Sequence, residues 1–226
     1  MNIVITGTSR GIGFELVRKY LENGHSVVAI SRNSLPVENE FGSNPNCYSI
    51  AFDLLSGDFN ALGDQVQSVF STIDVVINNA GQLINKPFDD LSPQDLQSSY
   101  ATNAFAPIYI VQKLSSLFSQ EAHIINISSI GGFQGSIKFA GLLAYSSAKA
   151  ALVCITECMQ EEFKETKWSF NCLCLGAVQT EMLQEAFPGY EAPTSAKEMS
   201  DYIFNFSINN KGVVKGKVLP LSSTNP

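Results

Sequence analysis

The chain has 226 residues, 45% of them hydrophobic and 15% charged, and its 14 lysines and arginines against 21 aspartates and glutamates leave a net charge of −7. That length suits one sizeable core, so residues 1–226 are expected to form a single domain, and the sparse, scattered basic residues exclude the footprint of a nucleic-acid binder. No apolar run is long enough for a bilayer, and the chain opens straight into a strand without the basic and apolar segments of an export signal, so a cytoplasmic protein with no membrane partner is expected.

The first strand is the apolar run Ile3-Val4-Ile5, which leads into Thr6-Gly7-Thr8-Ser9-Arg10-Gly11-Ile12-Gly13 and then an amphipathic stretch with Phe14, Leu16, Val17, Tyr20 and Leu21. This is a strand, a glycine turn and a helix. A phosphate placed at such a turn meets free backbone N–H groups and the positive end of a helix dipole, while glycines keep side chains from blocking it. A tight connection alone would also use glycines. Gly24 ends the helix, and His25 to Ser31 reads as a buried parallel strand. In a doubly wound sheet the end of this second strand faces the adenosine ribose of a dinucleotide, where a carboxylate suits a free 2′-hydroxyl and an arginine suits a 2′-phosphate. Ser31-Arg32-Asn33 offers no carboxylate and Arg10 adds a second guanidinium. NADP(H) is therefore expected in preference to NAD(H), the alternative being that both arginines are simply solvated.

Residues 33–46 are rich in turn formers and are expected to be a loop or an irregular link in place of a full crossover helix. A third strand, Cys47 to Phe52, ends in Asp53-Leu54, where Asp53 either meets the adenine edge or caps the next helix. That helix is expected from near Asp58 to Phe70, with Phe59, Leu62, Val66, Val69 and Phe70 inward. The fourth strand, Asp74 to Ile77, leads into Asn78-Asn79-Ala80-Gly81, whose amides can tie neighbouring strands together while the glycine leaves room for a cofactor.

T-G-x-x-x-G-x-G at the first turn, with N-N-A-G after the fourth strand, resembles the compact, single-domain branch of the short-chain dehydrogenase/reductase family. The resemblance implies an α/β fold, a doubly wound parallel sheet of the Rossmann type in three αβα layers. It places cofactor contacts at Gly7, Ser9, Arg10, Gly11, Ile12 and Gly13, at Arg32, Asp53 and Leu54, and at Asn79, Ala80 and Gly81.

From Ser92-Pro93 a long helical region carries Leu96, Tyr100, Asn103, Ile108, Val111 and Leu114, with a kink expected at Pro107. Asn103 sits inside that apolar pattern. Its amide must be satisfied, either by holding a water and a backbone group or by bracing the kink. His123 to Ile127 is the fifth strand and delivers Ser128-Ser129 to the carboxyl edge, where open α/β sheets bind ligands. Tyr145-Ser146-Ser147-Ala148-Lys149 then starts a long helix to about Lys164. Tyr145 and Lys149 share a helical face, and an ammonium beside a phenol lowers its pKa and fits it for general acid–base work.

The resemblance assigns roles at the matching positions. Tyr145 protonates a carbonyl oxygen or takes an alcohol proton, Lys149 tunes Tyr145 and contacts the nicotinamide ribose, Ser129 holds the substrate oxygen and Asn103 holds a relay water. Gly176, Val178 and Thr180 match the stretch that packs on the nicotinamide. Two departures stand out. Ser129 and Tyr145 are 145 − 129 = 16 positions apart, a few more than the family's usual spacing, because Gly135 to Leu143 is extended; Ser128 or Ser136 is then an alternative to Ser129. Leu175-Gly176 follows the sixth strand, Ser169 to Leu173, where the family has Pro-Gly.

Glu181 to Thr194 is where the family carries a substrate lid; its Met, Leu, Phe and Tyr either close over an apolar substrate or pack as an ordinary helix. A last helix from Ser195 to about Phe206 and a strand from Gly216 to Leu221 complete the sheet, with a frayed tail expected from Ser222 to Pro226. The five cysteines, with Cys154 and Cys158 at helical spacing and Cys172 and Cys174 at strand spacing, read as buried reduced thiols rather than a zinc site, and no metal is expected. The expected protein is an NADP(H)-dependent oxidoreductase of a small-molecule carbonyl or alcohol, built as a homodimer or homotetramer on the helices around Tyr100 to Phe118 and Tyr145 to Lys164, where Ala150, Leu152, Val153, Ile155 and Met159 spread over more than one side. The alternative is a catalytically silent NADP(H)-binding regulatory or scaffold protein of the same fold.

Overall fold

Strict alternation of burial partners builds the sheet. In β1 (Asn2–Thr6) Ile3 and Ile5 enter one core and Val4 the other, and in β2 (Ser26–Ser31) Val27 and Ala29 face the first while Val28 and Ile30 face the second. Both faces are therefore covered, as a parallel sheet requires. The computed structural model describes residues 1–222. The remaining strands of the main sheet are β3 (Cys47–Ala51), β4 (Ile73–Asn78), β5 (Phe118–Ser129), β6 (Ser169–Leu175) and β9 (Val218–Leu221). They run parallel in the order β3-β2-β1-β4-β5-β6-β9. The order reverses between β1 and β4, which opens a crevice at their carboxyl ends.

Helix α1 (Gly11–Glu22) packs on α8 (Ala196–Asn209) over the first core, where Tyr20 meets Phe204 edge to face. Helices α3 (Phe59–Val69) and α5 (Ala106–Leu114) cover the second core with Leu62, Val66, Ile110, Val111 and Leu114. The helix α6 (Leu143–Glu162) lies against β5 and β6 and contacts α4 (Pro93–Tyr100). Helices α4 and α8 each begin in a capping box, Ser92 with Asp95 and Ser195 with Glu198, so their first turns have partners for otherwise orphan N–H groups.

Several expectations change. Residues 33–46 are not an open loop: α2 (Leu35–Phe41) forms there because Pro36 fits a first helical turn and Val37 and Phe41 reach the first core. The long helix expected through Pro107 is divided into α4, a π-helical turn over Ala101–Phe105, and α5. The wider turn ends just before Pro107, whose missing N–H falls in the first turn of α5. Asp53 does not cap α3. It accepts from Leu55 N and Ser56 Oγ in its own turn, and Asp58 caps the helix by accepting from Asn60 N at 2.8 Å. Of the cysteines only Cys172 and Cys174 are buried; Cys154 and Cys158 lie exposed on α6. A second sheet of two short strands, β7 (Val178–Gln179) and β8 (Thr194–Ser195), joins the ends of the segment after β6. The tail beyond Ser222 lies outside the described residues. No described helix is long and apolar enough to cross a membrane.

Beneath the sheet His123 is fully buried, its Nδ1 donating to the Ser207 carbonyl at 3.0 Å and its Nε2 accepting from Asn171 at 2.9 Å. Burial pushes its pKa down to about 4. The native state thus binds fewer protons than the unfolded chain between about pH 4 and 6.5. The associated stability, of order 3 kcal/mol, is complete above pH 6.5 and is lost as pH falls toward 4. Urea midpoints should drop more steeply over this window in the wild type than in His123→Gln, whose amide does not titrate; parallel curves would remove His123 from the acid lability.

Candidate active site

At the carboxyl edge the crevice becomes a cavity of about 890 Å³ that starts at the glycine turn and runs past the ends of β4 and β5 to α6. The turn is held in shape from β4. Asn79 Nδ2 donates to the carbonyls of Thr6 and Gly7, both at 3.1 Å, and Ala80 N donates to Thr6 Oγ1 at 3.1 Å. Gly7 has φ +74°, and a Cβ there would lie 2.6 Å from Ala80 Cα, so both conformation and space demand glycine. A Cβ on Gly13 would overlap the Gly7 carbonyl oxygen, which is why the turn and α1 can pack so closely. Asn78 turns the other way and donates to Asn126 on β5 at 2.8 Å, and Asn126 donates on to Thr156 of α6 at 2.8 Å. The paired asparagines thus tie β4 to strands on both sides.

Ser129, Tyr145 and Lys149 line one end of this cavity. The Tyr145 phenol and the Ser129 side chain are electrostatic neighbours, and Ser129 Oγ accepts from Gly131 N at 3.2 Å. Ser128 is committed elsewhere, donating to the Lys149 carbonyl at 2.8 Å, and Ser136 donates to the Ile130 and Phe133 carbonyls outside the cavity wall. The long loop before α6 therefore leaves Ser129 as the serine beside Tyr145. Lys149 is almost completely buried; its Nζ lies 5.9 Å from the Tyr145 ring centroid and donates to the Ile127 carbonyl at 2.8 Å. Burial lowers its pKa to about 8.

The expected lowering of the Tyr145 pKa is reversed here. Burial raises it to about 12, and the Ser129 side chain offsets only part of that. At neutral pH the phenol is protonated and so is equipped as an acid.

Asn103 is fully buried but does not line the cavity. Its Oδ1 accepts from Gln82 N at 3.0 Å and its Nδ2 donates to the Gln82 carbonyl at 2.8 Å, so the amide pins the chain just after Gly81. A Cβ on Gly81 would sit 3.1 Å from Asn103 Oδ1 and 3.5 Å from Lys149 Nζ. Nothing in sequence marked Gln82; only Asn103's need for a partner pointed to a backbone group. Of the other expected cofactor residues, Gly7, Ser9, Arg10, Gly11, Ile12, Arg32, Asp53, Leu54, Asn79, Ala80, Gly81, Gly176, Val178 and Thr180 all line the cavity, whereas Gly13 lies behind it. Leucine at 175 retains the N–H that proline lacks, β6 runs through it, and Gly176 N donates to the Leu221 carbonyl at 2.7 Å. The Thr180 hydroxyl is used as the cap of α7 (Glu181–Ala186), accepting from Leu183 N at 3.3 Å.

The segment 181–194 covers the cavity: Glu181, Met182, Leu183, Phe187 and Tyr190 line it, together with Phe139 and Leu142 from the loop before α6. The two arginines differ. Arg32 is exposed and forms no ion pair among the described residues. Arg10 is engaged by Glu185 of α7, Nη1 with Oε1 and Nη2 with Oε2.

A family model described as short chain dehydrogenase matches residues 1–191. A ketoacyl reductase, HetN, from Nostoc sp. is 31% identical over 183 residues, which are 78% of this chain; the chain spans 63% of that protein's length. Among solved structures, a short chain dehydrogenase from Escherichia coli complexed with NADPH superposes with a TM-score of 0.87 at 23% identity, covering 97% of this chain and 95% of that one. A 3-ketoacyl-(acyl-carrier-protein) reductase from Brucella melitensis complexed with NADH gives 0.85 at 20% identity, over 97% and 95%. At these identities the two structures speak to the fold alone.

Proposed function

The chain belongs to the short-chain dehydrogenase/reductase family, and from that premise we propose that it is an NADP(H)-dependent carbonyl reductase or alcohol dehydrogenase acting on an uncharged, apolar compound. The observation that carries the reading is the grouping of Ser129, Tyr145 and buried Lys149 at one end of a cavity whose other end is a glycine turn. The residues fit a dinucleotide. The turn at the start of α1 leaves N–H groups and helix-dipole charge for phosphates, and Gly81 keeps open the space between Asn103 and Lys149. NADP(H), when bound, supplies or accepts the hydride. Ser129 and Tyr145 orient the substrate oxygen, Tyr145 passes its proton to that oxygen during reduction, and the Lys149 ammonium stabilises the phenolate left behind. Asn103 holds the backbone that borders the site. The cover contributes Glu181, Met182, Leu183, Phe187 and Tyr190 and no basic side chain to the cavity wall, which suits an apolar substrate better than an anionic one.

Relatives of this fold carry NADPH in one case and NADH in another, so the cofactor preference rests on Arg32, which has no ion pair among the described residues and stands at the end of β2, where the sequence offers no carboxylate. The working form is one domain over residues 1–226, cytoplasmic, and a homodimer or homotetramer through α5 and α6, where Tyr109 of α5 and Phe105 of the π-helical turn before it are exposed. A panel of neutral aryl and alkyl ketones and aldehydes, followed by loss of nicotinamide absorbance, tests the reaction. NADPH should bind more tightly than NADH, and Arg32→Ala should weaken NADPH by roughly tenfold, the scale of one charge-assisted hydrogen bond, with little effect on NADH. Equal affinity for the two cofactors would overturn the NADP(H) assignment.

A further inference from the structure

The ion pair between Arg10 and Glu185 spans 175 positions and joins two elements with different tasks. Arg10 is the residue just before α1 and lines the cofactor end of the cavity. Glu185 sits on α7, the helix whose Met182 and Leu183 line the substrate end. The pair is bidentate, which takes the paired donors a guanidinium would otherwise present to a phosphate. It is also partly solvated, with side chains 45% and 62% exposed, so the link is weak enough to exchange. Glu181, one helical turn earlier, has a carboxylate oxygen 3.5 Å from where a Cβ on Gly11 would lie. Two acids of one short helix thus face the turn that has to receive an anion.

We infer that Glu185 is a determinant of cofactor specificity: its carboxylate competes with the 2′-phosphate of NADP(H) for Arg10. NAD(H) has no 2′-phosphate and leaves the pair intact. NADP(H) must displace Glu185, and in doing so it releases one of the side-chain ties holding the cover; others run from Asn85 to the Ala186 carbonyl at 2.9 Å and from Ala192 N to Gln179 Oε1 at 2.7 Å. The inference rests on the cavity being a dinucleotide site, and its test needs only cofactor binding.

Dissociation constants for NADPH and NADH, measured by calorimetry in the wild type, Glu185→Gln, Arg10→Ala and the double variant, decide it. Glu185→Gln should tighten NADPH by about two- to fivefold, the range of an exposed ion pair, and leave NADH unchanged. The gain should shrink at high salt and vanish when Arg10 is alanine. Unchanged NADPH affinity in Glu185→Gln, an equal gain for NADH, or a gain that persists without Arg10 would each overturn the competition. If the wild type shows no NADPH preference but Glu185→Gln still tightens NADPH alone, the competition stands and only the wild-type preference is wrong; if there is neither a preference nor a selective gain, both fall.

Discussion

Tyr145→Phe is expected to lower turnover by about 10² to 10⁴-fold while NADPH affinity stays near the wild-type value, because the exchange deletes one hydroxyl and its transferable proton. The ring keeps its place beside Lys149, and Ser129 Oγ keeps its bond from Gly131 N, so neither the fold nor the glycine turn is disturbed. Steady-state kinetics on any carbonyl compound the panel identifies, paired with cofactor titration, separates the two effects. Near wild-type turnover would mean that Tyr145 is only a structural neighbour of Ser129 and that the proton comes from another group.

Lys149→Met should behave differently, reducing both turnover, by about 10²-fold or more, and NADPH affinity, by roughly tenfold. The charge beside the phenol disappears, and so does the donor now held by the Ile127 carbonyl at 2.8 Å. Its pH dependence is the sharper reading. Burial has lowered the ammonium to about 8, so the charge is present below that pH and lost above it. For reduction, kcat/KM should be level up to about pH 8 and decline beyond it in the wild type, since this parameter reports groups of the free enzyme. Lys149→Met should lack that decline; the same alkaline limb in the variant would assign it to another group.

Much of this site could be read from the chain because its chemistry lies in short local patterns. A glycine turn between an apolar run and an amphipathic one, two asparagines at a strand end, and a tyrosine and lysine four apart all keep their meaning in one element. What was illegible depends on contacts between distant segments. The α2 helix was hidden because Asn33, Ser34 and Pro36, which suggest a loop, also suit a helix start, and only Val37's place in the core decides between them. The division of α4 from α5 follows from an i→i−5 bond, Ala106 N to Ala101 O, that no residue pattern announces. The upward shift of Tyr145 reverses the sign that its spacing from Lys149 suggests, because burial of the phenol dominates and is offset only in part by Ser129. Glu185 could not be found at all, since nothing near residue 185 says that its partner is Arg10. The same is true of β7 and β8, two residues each, which pin both ends of the cover.

Hydride transfer with Tyr145 as the proton donor is tested most directly by isotope. NADPH deuterated at its transferable nicotinamide position is mixed with the protein and neutral apolar ketones or aldehydes, and the alcohol is examined by mass spectrometry. The wild type should place one deuterium on the carbinol carbon of an apolar product, and Tyr145→Phe, saturated with the same cofactor, should form that product at least about 10²-fold more slowly. Deuterated alcohol formed at the wild-type rate by Tyr145→Phe, or cofactor binding with no deuterium delivered to any carbonyl compound, would contradict it.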